Sequence, residues 1–250
     1  MKIAVAGGTG AVGRQVVAAA ESAGHETVVL ARSRGVDVVT GAGLADALRG
    51  ADAVVDVANT MTASAKASTV FFEAATHNLL TAEREAGVGH HVVLSIIGAA
   101  AAPQSYYAGK AAQERLVMAQ HRGWSLLRAS QFHDFVPQLL RSGRIGSLQF
   151  APAVRMQPVS TAEVGAALVA LAEAGPSGLV ADLAGPREEQ FADLARKYLA
   201  ATGTPRRVVA FPFPGAYGRA LRDGTLLPGP GARLGTQTFD EWLRESVAAV

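Results

Sequence analysis

The first thirteen residues are MKIAVAGGTGAVG, an apolar run followed at once by a glycine-rich segment, residues 7–13. The apolar run predicts a buried strand, and the glycines predict a tight turn that enters a helix. Glycines leave the backbone open to a diphosphate, and the N–H groups at the start of a helix attract anionic oxygens. We therefore expect a nucleotide site here. The alternative is a turn whose glycines only let the strand and the helix pack closely.

The next hundred residues alternate short apolar runs with helical patterns. The predicted strands are residues 27–31, 36–40, 53–58, 91–95 and 124–128, and the predicted helices are residues 11–23, 44–49, 67–86 and 105–120. Nearly uniform apolar strands that alternate with helices indicate a parallel sheet covered on both faces. The expected fold class is α/β, a Rossmann-type doubly wound parallel sheet.

The regular alternation ends near residue 150. Three helical patterns remain, at residues 161–174, at residues 191–201 and in a last helix that holds Phe239, Trp242 and Leu243. Residues 205–236 are rich in proline and glycine. We expect residues 1–155 to form an NAD(P)-binding Rossmann core. Residues 156–250 are expected to be a small C-terminal part that packs on the core and covers the substrate.

The composition limits the possible partners. The 250 residues are 49% hydrophobic and 18% charged, which is typical of a globular protein. A net charge of +2 argues against nucleic acid, and the absence of cysteine excludes disulfides and thiolate metal sites. The longest apolar stretch, residues 92–102, is shorter than the roughly 18 residues that span a bilayer. We expect a cytoplasmic monomer or homodimer that binds a small-molecule substrate, without a metal or a membrane.

Two arginines follow the second predicted strand, where a Rossmann fold binds the adenine ribose. The segment is Ala31-Arg32-Ser33-Arg34, without the acidic residue that would bind the ribose hydroxyls. A guanidinium binds a 2′-phosphate through paired charge-assisted hydrogen bonds, whereas a carboxylate would repel it. We therefore expect Arg32 and Arg34 to favour NADP(H) over NAD(H). The alternative is a solvated pair of loop arginines.

A second group of polar residues lies around the predicted strand 91–95. Ser95 ends that strand, and Tyr106 and Lys110 are four residues apart at the start of the next helix, so they share a face. A nearby ammonium would lower the pKa of the tyrosine. Ser95 could hydrogen-bond a substrate carbonyl, and Lys110 could also hold the nicotinamide ribose. The expected catalytic residues are Tyr106, Lys110 and Ser95.

These motifs together resemble the short-chain dehydrogenase/reductase superfamily, and within it the atypical, NmrA-like and NAD(P)H-binding branch. The resemblance covers nearly the whole chain and includes GADAVV at 50–55, HVVLS at 91–95, LRASQF at 127–132, PVSTAEV at 158–164 and LAGP at 183–186. The resemblance implies a coenzyme site, to which we add Arg34 because it follows Arg32 in the arginine pair. The expected site residues are Gly7, Thr9, Gly10, Ala11, Val12, Gly13, Arg32, Arg34, Ala58, Asn59, Ser95, Ile96, Lys110 and Phe132.

The chain departs from the family pattern near the expected catalytic residues. Active members usually have a second small polar residue after the strand-end serine, whereas Ile96 follows Ser95 here. The segment between Ser95 and Tyr106 is also shorter than in most relatives. Tyr107 and His133 are therefore alternative proton donors.

The expected function is that of an NADPH-dependent oxidoreductase of the short-chain type, which transfers hydride to a small, largely apolar carbonyl, enone or quinone. One alternative is a non-catalytic NAD(P)-binding sensor or regulatory protein, which would not need Tyr106 and Lys110. Another is a nucleotide-sugar epimerase or dehydratase, which would commonly retain NAD and need a larger cationic pocket.

Overall fold

The computed structural model describes residues 1–121 and 123–248. They form two compact units. The first comprises Met1–Arg128 and Ala162–Ala181, and the second comprises Ala129–Thr161 and the chain from Asp182 onward. The units therefore interleave along the sequence, and the boundary between residues 155 and 156 stays a prediction.

The bounds of the elements are as follows for the described residues. The strands are β1 (Lys2–Ala6), β2 (Glu26–Leu30), β3 (Ala53–Asp56), β4 (His90–Ile96), β5 (Trp124–Ala129), β6 (Arg144–Ile145), β7 (Leu148–Pro152), β8 (Arg155–Met156), β9 (Gly178–Leu179), β10 (Leu183–Ala184), β11 (Glu189–Gln190), β12 (Arg207–Phe211) and β13 (Arg233–Leu234). The helices are α1 (Ala11–Ser22), α2 (Leu44–Ala47), α3 (Ala65–Ala86), α4 (Tyr106–Met118), α5 (Phe135–Leu140), α6 (Thr161–Ala174), α7 (Phe191–Ala201), α8 (Gly215–Ala220) and α9 (Phe239–Ala248), with a 3-10 turn at Arg32–Arg34.

The first unit is built on a sheet in the order β5-β4-β3-β1-β2, and the pairs β2–β1, β1–β3 and β3–β4 are parallel. The strands β1, β3 and β4 are buried almost throughout, which explains their mostly apolar sequences, whereas β2 at the edge is partly exposed. The chain order reverses between β1 and β3, because β2 lies on one side of β1 and β3 on the other. Sheets of this kind bind ligands beyond the carboxyl ends of their strands at such a switch point. The predicted α/β fold with a parallel sheet is confirmed.

Residues 36–40, for which the sequence predicts a short strand, form turns instead. The Asp37 carboxylate accepts the N–H of Val39 at 2.8 Å. The Asn78 side chain donates to the carbonyls of Val38 and Val39 at 3.0 and 2.8 Å. These bonds occupy the backbone groups that a strand would pair with a neighbour, so the strand prediction is wrong.

Two helix contacts in the first unit depend on glycine. A Cβ added to Gly109 on α4 would lie 2.6 Å from Phe72 Cδ2 on α3, so the glycine allows these helices to approach closely. A Cβ added to Gly165 on α6 would lie 2.8 Å from the carbonyl carbon of Gln15 on α1. This packing places α6 with the first unit, although it follows part of the second unit in sequence.

The second unit has an apolar core of its own, formed by buried residues of α5, β7, α7, β12 and α9. In it, β7 pairs in parallel with β12 and antiparallel with β6, while β8 pairs antiparallel with β11. Leu183 of β10 pairs with Ala129, and β10 also pairs with β13. The C-terminal part is therefore a packed structure despite its irregular sequence pattern.

Candidate functional site

The glycine turn after β1 depends on two glycines for different physical reasons. Gly7 has φ +77°, and a Cβ on it would lie 2.8 Å from the Val57 carbonyl oxygen and 2.9 Å from Ala58 Cα. A Cβ on Gly13 would lie 2.7 Å from Gly8 Cα and overlap the Gly7 carbonyl. The turn therefore needs a left-handed backbone at its start and close contact with the first turn of α1.

The start of α1 is open. Its N-cap is Gly10, which has no side chain to accept the first helical N–H groups, and both Thr9 and Gly10 are exposed. Within residues 1–121 and 123–248, no acceptor is found for the amides of Ala11, Val12 and Gly13. Three unpaired donors at the positive end of a helix dipole are suited to bind the oxygens of a diphosphate.

The end of β2 is joined directly to this turn, because the N–H of Gly7 donates to the Leu30 carbonyl at 3.1 Å. The chain then enters the 3-10 turn, which carries Arg32 and Arg34, both of them exposed. Neither guanidinium forms an ion pair with a carboxylate in the described part of the chain. Two available positive charges therefore follow the strand next to the glycine turn, as the sequence predicts.

The end of β3 supplies Ala58 and Asn59. Asp56, the last residue of β3, is buried, and its Oδ1 accepts the N–H of Ala58 at 2.9 Å. Its Oδ2 accepts the Gln113 side-chain amide at 2.8 Å. Ala58 is buried and Asn59 is exposed. Asp56 and Gln113 are not among the site residues predicted from the sequence, although an aspartate at the end of an otherwise apolar strand is a signal for a buried polar contact.

Tyr106 faces this same segment. Its hydroxyl donates to Asn59 Oδ1 at 2.9 Å, so an expected catalytic residue contacts an expected coenzyme-binding residue. Burial raises the pKa of Tyr106 well above its ordinary value of 10.0, and Tyr107 and Asp56 raise it further. The expectation that Lys110 lowers the pKa of this tyrosine is therefore wrong.

Lys110 is buried and directed into the protein. Its Nζ donates to the Leu94 carbonyl at 2.6 Å and to Gln113 Oε1, and it lies 4.5 Å from the centre of the Phe72 ring. Burial lowers the pKa of Lys110 from 10.5 to about 8, although Asp56 and Glu114 act in the opposite direction. In this geometry the ammonium is hydrogen-bonded to interior groups, whereas the sequence predicts a contact with the nicotinamide ribose.

Ser95 is also committed to interior contacts. It is fully buried, and its hydroxyl donates to Glu114 Oε1 at 2.6 Å. The Glu114 carboxylate accepts two hydrogen bonds from the Arg128 guanidinium, at 2.9 and 2.6 Å. The expected contact of Ser95 with a substrate carbonyl does not agree with this arrangement, because the hydroxyl belongs to a buried ion-pair cluster. Ile96, the next residue, is partly exposed at the strand end.

Phe132 and His133 belong to the second unit. The Phe132 ring stacks on Phe135 at 5.6 Å between centroids, and its role at the nicotinamide stays a prediction. His133 is fully buried, donates from Nε2 to the Gln237 carbonyl at 3.1 Å, and packs against Phe239 and Trp242. A histidine enclosed in an apolar core is a structural residue, which removes the main argument for it as a proton donor.

The sequence model of the NAD(P)H-binding family matches residues 7–174. This match spans more than half of the chain. The chain belongs to the NAD(P)H-binding family. The matched region begins at the first glycine of the turn and ends with α6, the last helix of the first unit. No match was found among curated proteins.

Solved structures of similar fold support the Rossmann-type architecture of the chain. A short-chain dehydrogenase/reductase superfamily protein from Agrobacterium tumefaciens with bound NAD has 24% identity and a TM-score of 0.70, over 100% of this chain and 97% of that one. The UDP-N-acetylglucosamine 4-epimerase of Bacillus cereus has 20% identity and a TM-score of 0.71, over 100% and 97%. The dTDP-glucose 4,6-dehydratase DesIV of Streptomyces venezuelae, with NAD and TYD bound, has 21% identity and a TM-score of 0.72, over 99% and 96%.

The structural likeness confirms the predicted Rossmann-type fold, and the family model confirms the predicted NAD(P)H-binding family. Across residues 1–121 and 123–248, no helix combines the length and hydrophobicity needed to cross a bilayer. The same residues contain no group of three His, Asp or Glu side chains able to hold a metal ion. As a member of the NAD(P)H-binding family, the chain has a glycine turn and a helix start that fit the diphosphate of its coenzyme.

Proposed function

We propose that this member of the NAD(P)H-binding family is an NADPH-dependent oxidoreductase that reduces a small, largely apolar carbonyl, enone or quinone. The observation that carries the proposal is the open start of α1 beside the arginine turn. The unpaired amides of Ala11, Val12 and Gly13 would hold the diphosphate. Arg32, two residues after the strand that hydrogen-bonds Gly7, would bind the 2′-phosphate.

Residues that follow β3 and β4 would supply the proton donor and hold it in position. A bound reduced nicotinamide supplies a hydride. Tyr106 is protonated at neutral pH, as a tyrosine with an ordinary or a raised pKa is, so it can act as a donor to a strongly basic oxygen. Asn59 Oδ1 accepts the hydrogen bond of the Tyr106 hydroxyl, and it would hold the hydroxyl in place until a substrate oxygen becomes the acceptor instead.

A second candidate function is a coenzyme sensor without turnover. Two observations favour it: Ser95 donates to Glu114, and Lys110 is directed onto Leu94 and Gln113. Two of the three expected catalytic side chains are thus used in the interior. Such a protein would still need the glycine turn and the arginine turn.

Coenzyme binding is the first test. NADPH and NADH fluorescence titrations would be made with the native protein, with Arg32→Ala and with the control Arg84→Ala, which removes an exposed arginine of α3. NADPH should bind more tightly than NADH. Arg32→Ala should weaken NADPH binding about tenfold to a hundredfold, since charged hydrogen bonds contribute about 1.5–3 kcal/mol, and leave NADH binding unchanged. Equal affinity of the native protein for both coenzymes would contradict the role of Arg32.

Turnover distinguishes the two candidates. NADPH oxidation would be followed at saturating coenzyme with aldehydes, enones and quinones. Tyr106→Phe should reduce turnover about 10²- to 10⁴-fold without changing coenzyme affinity. Tight NADPH binding with no turnover on any acceptor would favour the sensor, and turnover that survives Tyr106→Phe would assign the proton to Tyr107 or water.

A further inference from the structure

A chain of buried polar contacts links the ends of β3 and β4 to the first turns of α4. Asp56 Oδ2 accepts the Gln113 amide N–H at 2.8 Å, and Gln113 Oε1 accepts a hydrogen bond from Lys110 Nζ. Lys110 also donates to the Leu94 carbonyl. Asp56 Oδ1 accepts the N–H of Ala58 at 2.9 Å. All three side chains in this chain are at least 95% buried.

In this series of contacts, the Lys110 ammonium and the Asp56 carboxylate determine the orientation of the Gln113 amide between them. A lysine ammonium can only donate hydrogen bonds, and an ionised carboxylate can only accept them. The Gln113 amide therefore has one arrangement that satisfies both neighbours, with its oxygen toward Lys110 and its nitrogen toward Asp56. An asparagine at position 56 could not satisfy both Ala58 and Gln113, because only one of its two atoms accepts.

The other oxygen of Asp56 acts on the backbone of the coenzyme site. Ala58, which it holds, is the residue that faces Gly7: a Cβ on Gly7 would lie 2.9 Å from Ala58 Cα. The next residue, Asn59, accepts the hydrogen bond of the Tyr106 hydroxyl. One carboxylate is thus connected both to the base of the glycine turn and to the segment that contacts the tyrosine.

We propose that Asp56 is a positioning residue of the coenzyme site, which acts through Gln113 to keep Lys110 directed inward and through Ala58 to hold the backbone against Gly7. The inference rests on the proposed function, because it assumes that the glycine turn binds the coenzyme. Lys110 then supports the site from the interior through its hydrogen bonds to Leu94 and Gln113. Asp56 and Gln113 are as necessary to the site as its exposed residues.

Exchanging the two groups provides a sharp test. Asp56→Asn leaves two N–H donors facing each other at positions 56 and 113, and Gln113→Glu leaves two carboxylates facing each other. The double variant Asp56→Asn/Gln113→Glu restores every hydrogen bond: the new amide at position 56 accepts from Ala58 and donates to position 113, whose second oxygen accepts from Lys110. The net charge of the cluster is unchanged. The matched control is Asp37→Asn, because Asp37 accepts the N–H of Val39 with the same two-residue spacing.

The readouts are the NADPH and NADH dissociation constants and the titration of the Lys110 ammonium, followed by NMR in 15N-lysine-labelled protein. Each single variant should weaken both coenzymes by the same factor, about tenfold, because the 2′-phosphate is bound elsewhere. The double variant should return to within about threefold of the native protein. The titration midpoint of Lys110 should fall by about one pH unit in Asp56→Asn and be unchanged in Asp37→Asn.

The groups that act on Lys110 in this titration are Asp56, Glu114 and Gln113, with the Phe72 ring. Unchanged coenzyme affinity in Asp56→Asn, or a double variant weaker than either single one, would overturn the proposal. A single variant that fails to fold, together with a double variant that folds and binds coenzyme, would support it. If the native protein binds neither coenzyme, the proposed function falls, and the lysine titration still shows separately whether Asp56 holds Lys110.

Discussion

Replacing Lys110 by methionine should change how the stability of the first unit depends on pH. The pKa of the buried ammonium is about 8 in the folded chain, against an ordinary value of 10.5. Between these values the unfolded chain binds more protons than the folded chain, so the native protein gains stability as the pH rises. Below pH 8 both states are protonated, and the cost of the buried charge is constant.

The size of this effect follows from the two pKa values. Their difference corresponds to about 3 kcal/mol, at about 1.36 kcal/mol per pH unit. Between pH 7.5 and pH 9.5 the native protein should gain about 2 kcal/mol relative to Lys110→Met. The variant also loses two hydrogen bonds, to Leu94 and Gln113, but that loss is the same at every pH. The raised pKa of Tyr106 acts only above its ordinary value of 10.0 and lies outside this window.

Urea unfolding followed by tryptophan fluorescence would measure the gain. The chain has two tryptophans, and a Trp242→Phe background leaves Trp124 on β5 to report on the first unit. Unfolding free energies would be compared at pH 7.5, 8.5 and 9.5, with Lys66→Met as the control because Lys66 is exposed. If the native protein and Lys110→Met gain the same stability over this range, the ammonium is not held as a buried charge and the reasoning is refuted.

Two further substitutions test the packing of the glycine turn and the buried ion pair. Gly13→Ala should destabilise the protein by about 3 kcal/mol or more in thermal unfolding, because its Cβ overlaps the Gly7 carbonyl, whereas Gly89→Ala should have little effect. Glu114→Gln should cost about 2–3 kcal/mol in urea unfolding, because it removes the buried negative charge that accepts hydrogen bonds from Arg128 and Ser95; the exposed Glu85→Gln is the control. A Gly13→Ala or Glu114→Gln protein as stable as its control would contradict the described geometry.

The fold and the glycine turn were predictable because their signals are local. The apolar strands, the helix patterns between them and the glycines at 7, 10 and 13 each lie within a few residues of one another. The arginine turn was found the same way, by its distance from the last glycine. The strand predicted at residues 36–40 is wrong because the Asn78 side chain, which hydrogen-bonds the backbone there, belongs to a helix about forty residues away in sequence.

The direction of the expected catalytic side chains was not predictable from spacing. A spacing of four residues places Tyr106 and Lys110 on one helical face, but it does not say which residues that face contacts. Here Lys110 is linked to Asp56 by hydrogen bonds through Gln113, and Ser95 donates a hydrogen bond to Glu114. A signal was present, since positions 110, 113 and 114 place three polar residues at helical spacing among alanines. Such a set on a buried face indicates an interior polar network.

The position and the raised pKa of Tyr106 limit which substrates it can protonate. Among the three expected catalytic residues, Ser95 and Lys110 donate to interior groups, whereas the Tyr106 hydroxyl donates to the exposed Asn59. A tyrosine with a raised pKa gives up its proton readily only to an oxygen more basic than its own phenolate. Hydride addition to an aldehyde or ketone creates an alkoxide, which is more basic than a phenolate, whereas reduction of a quinone creates a phenolate of similar basicity. The raised pKa of Tyr106 therefore favours simple carbonyls over quinones within the proposed substrate class.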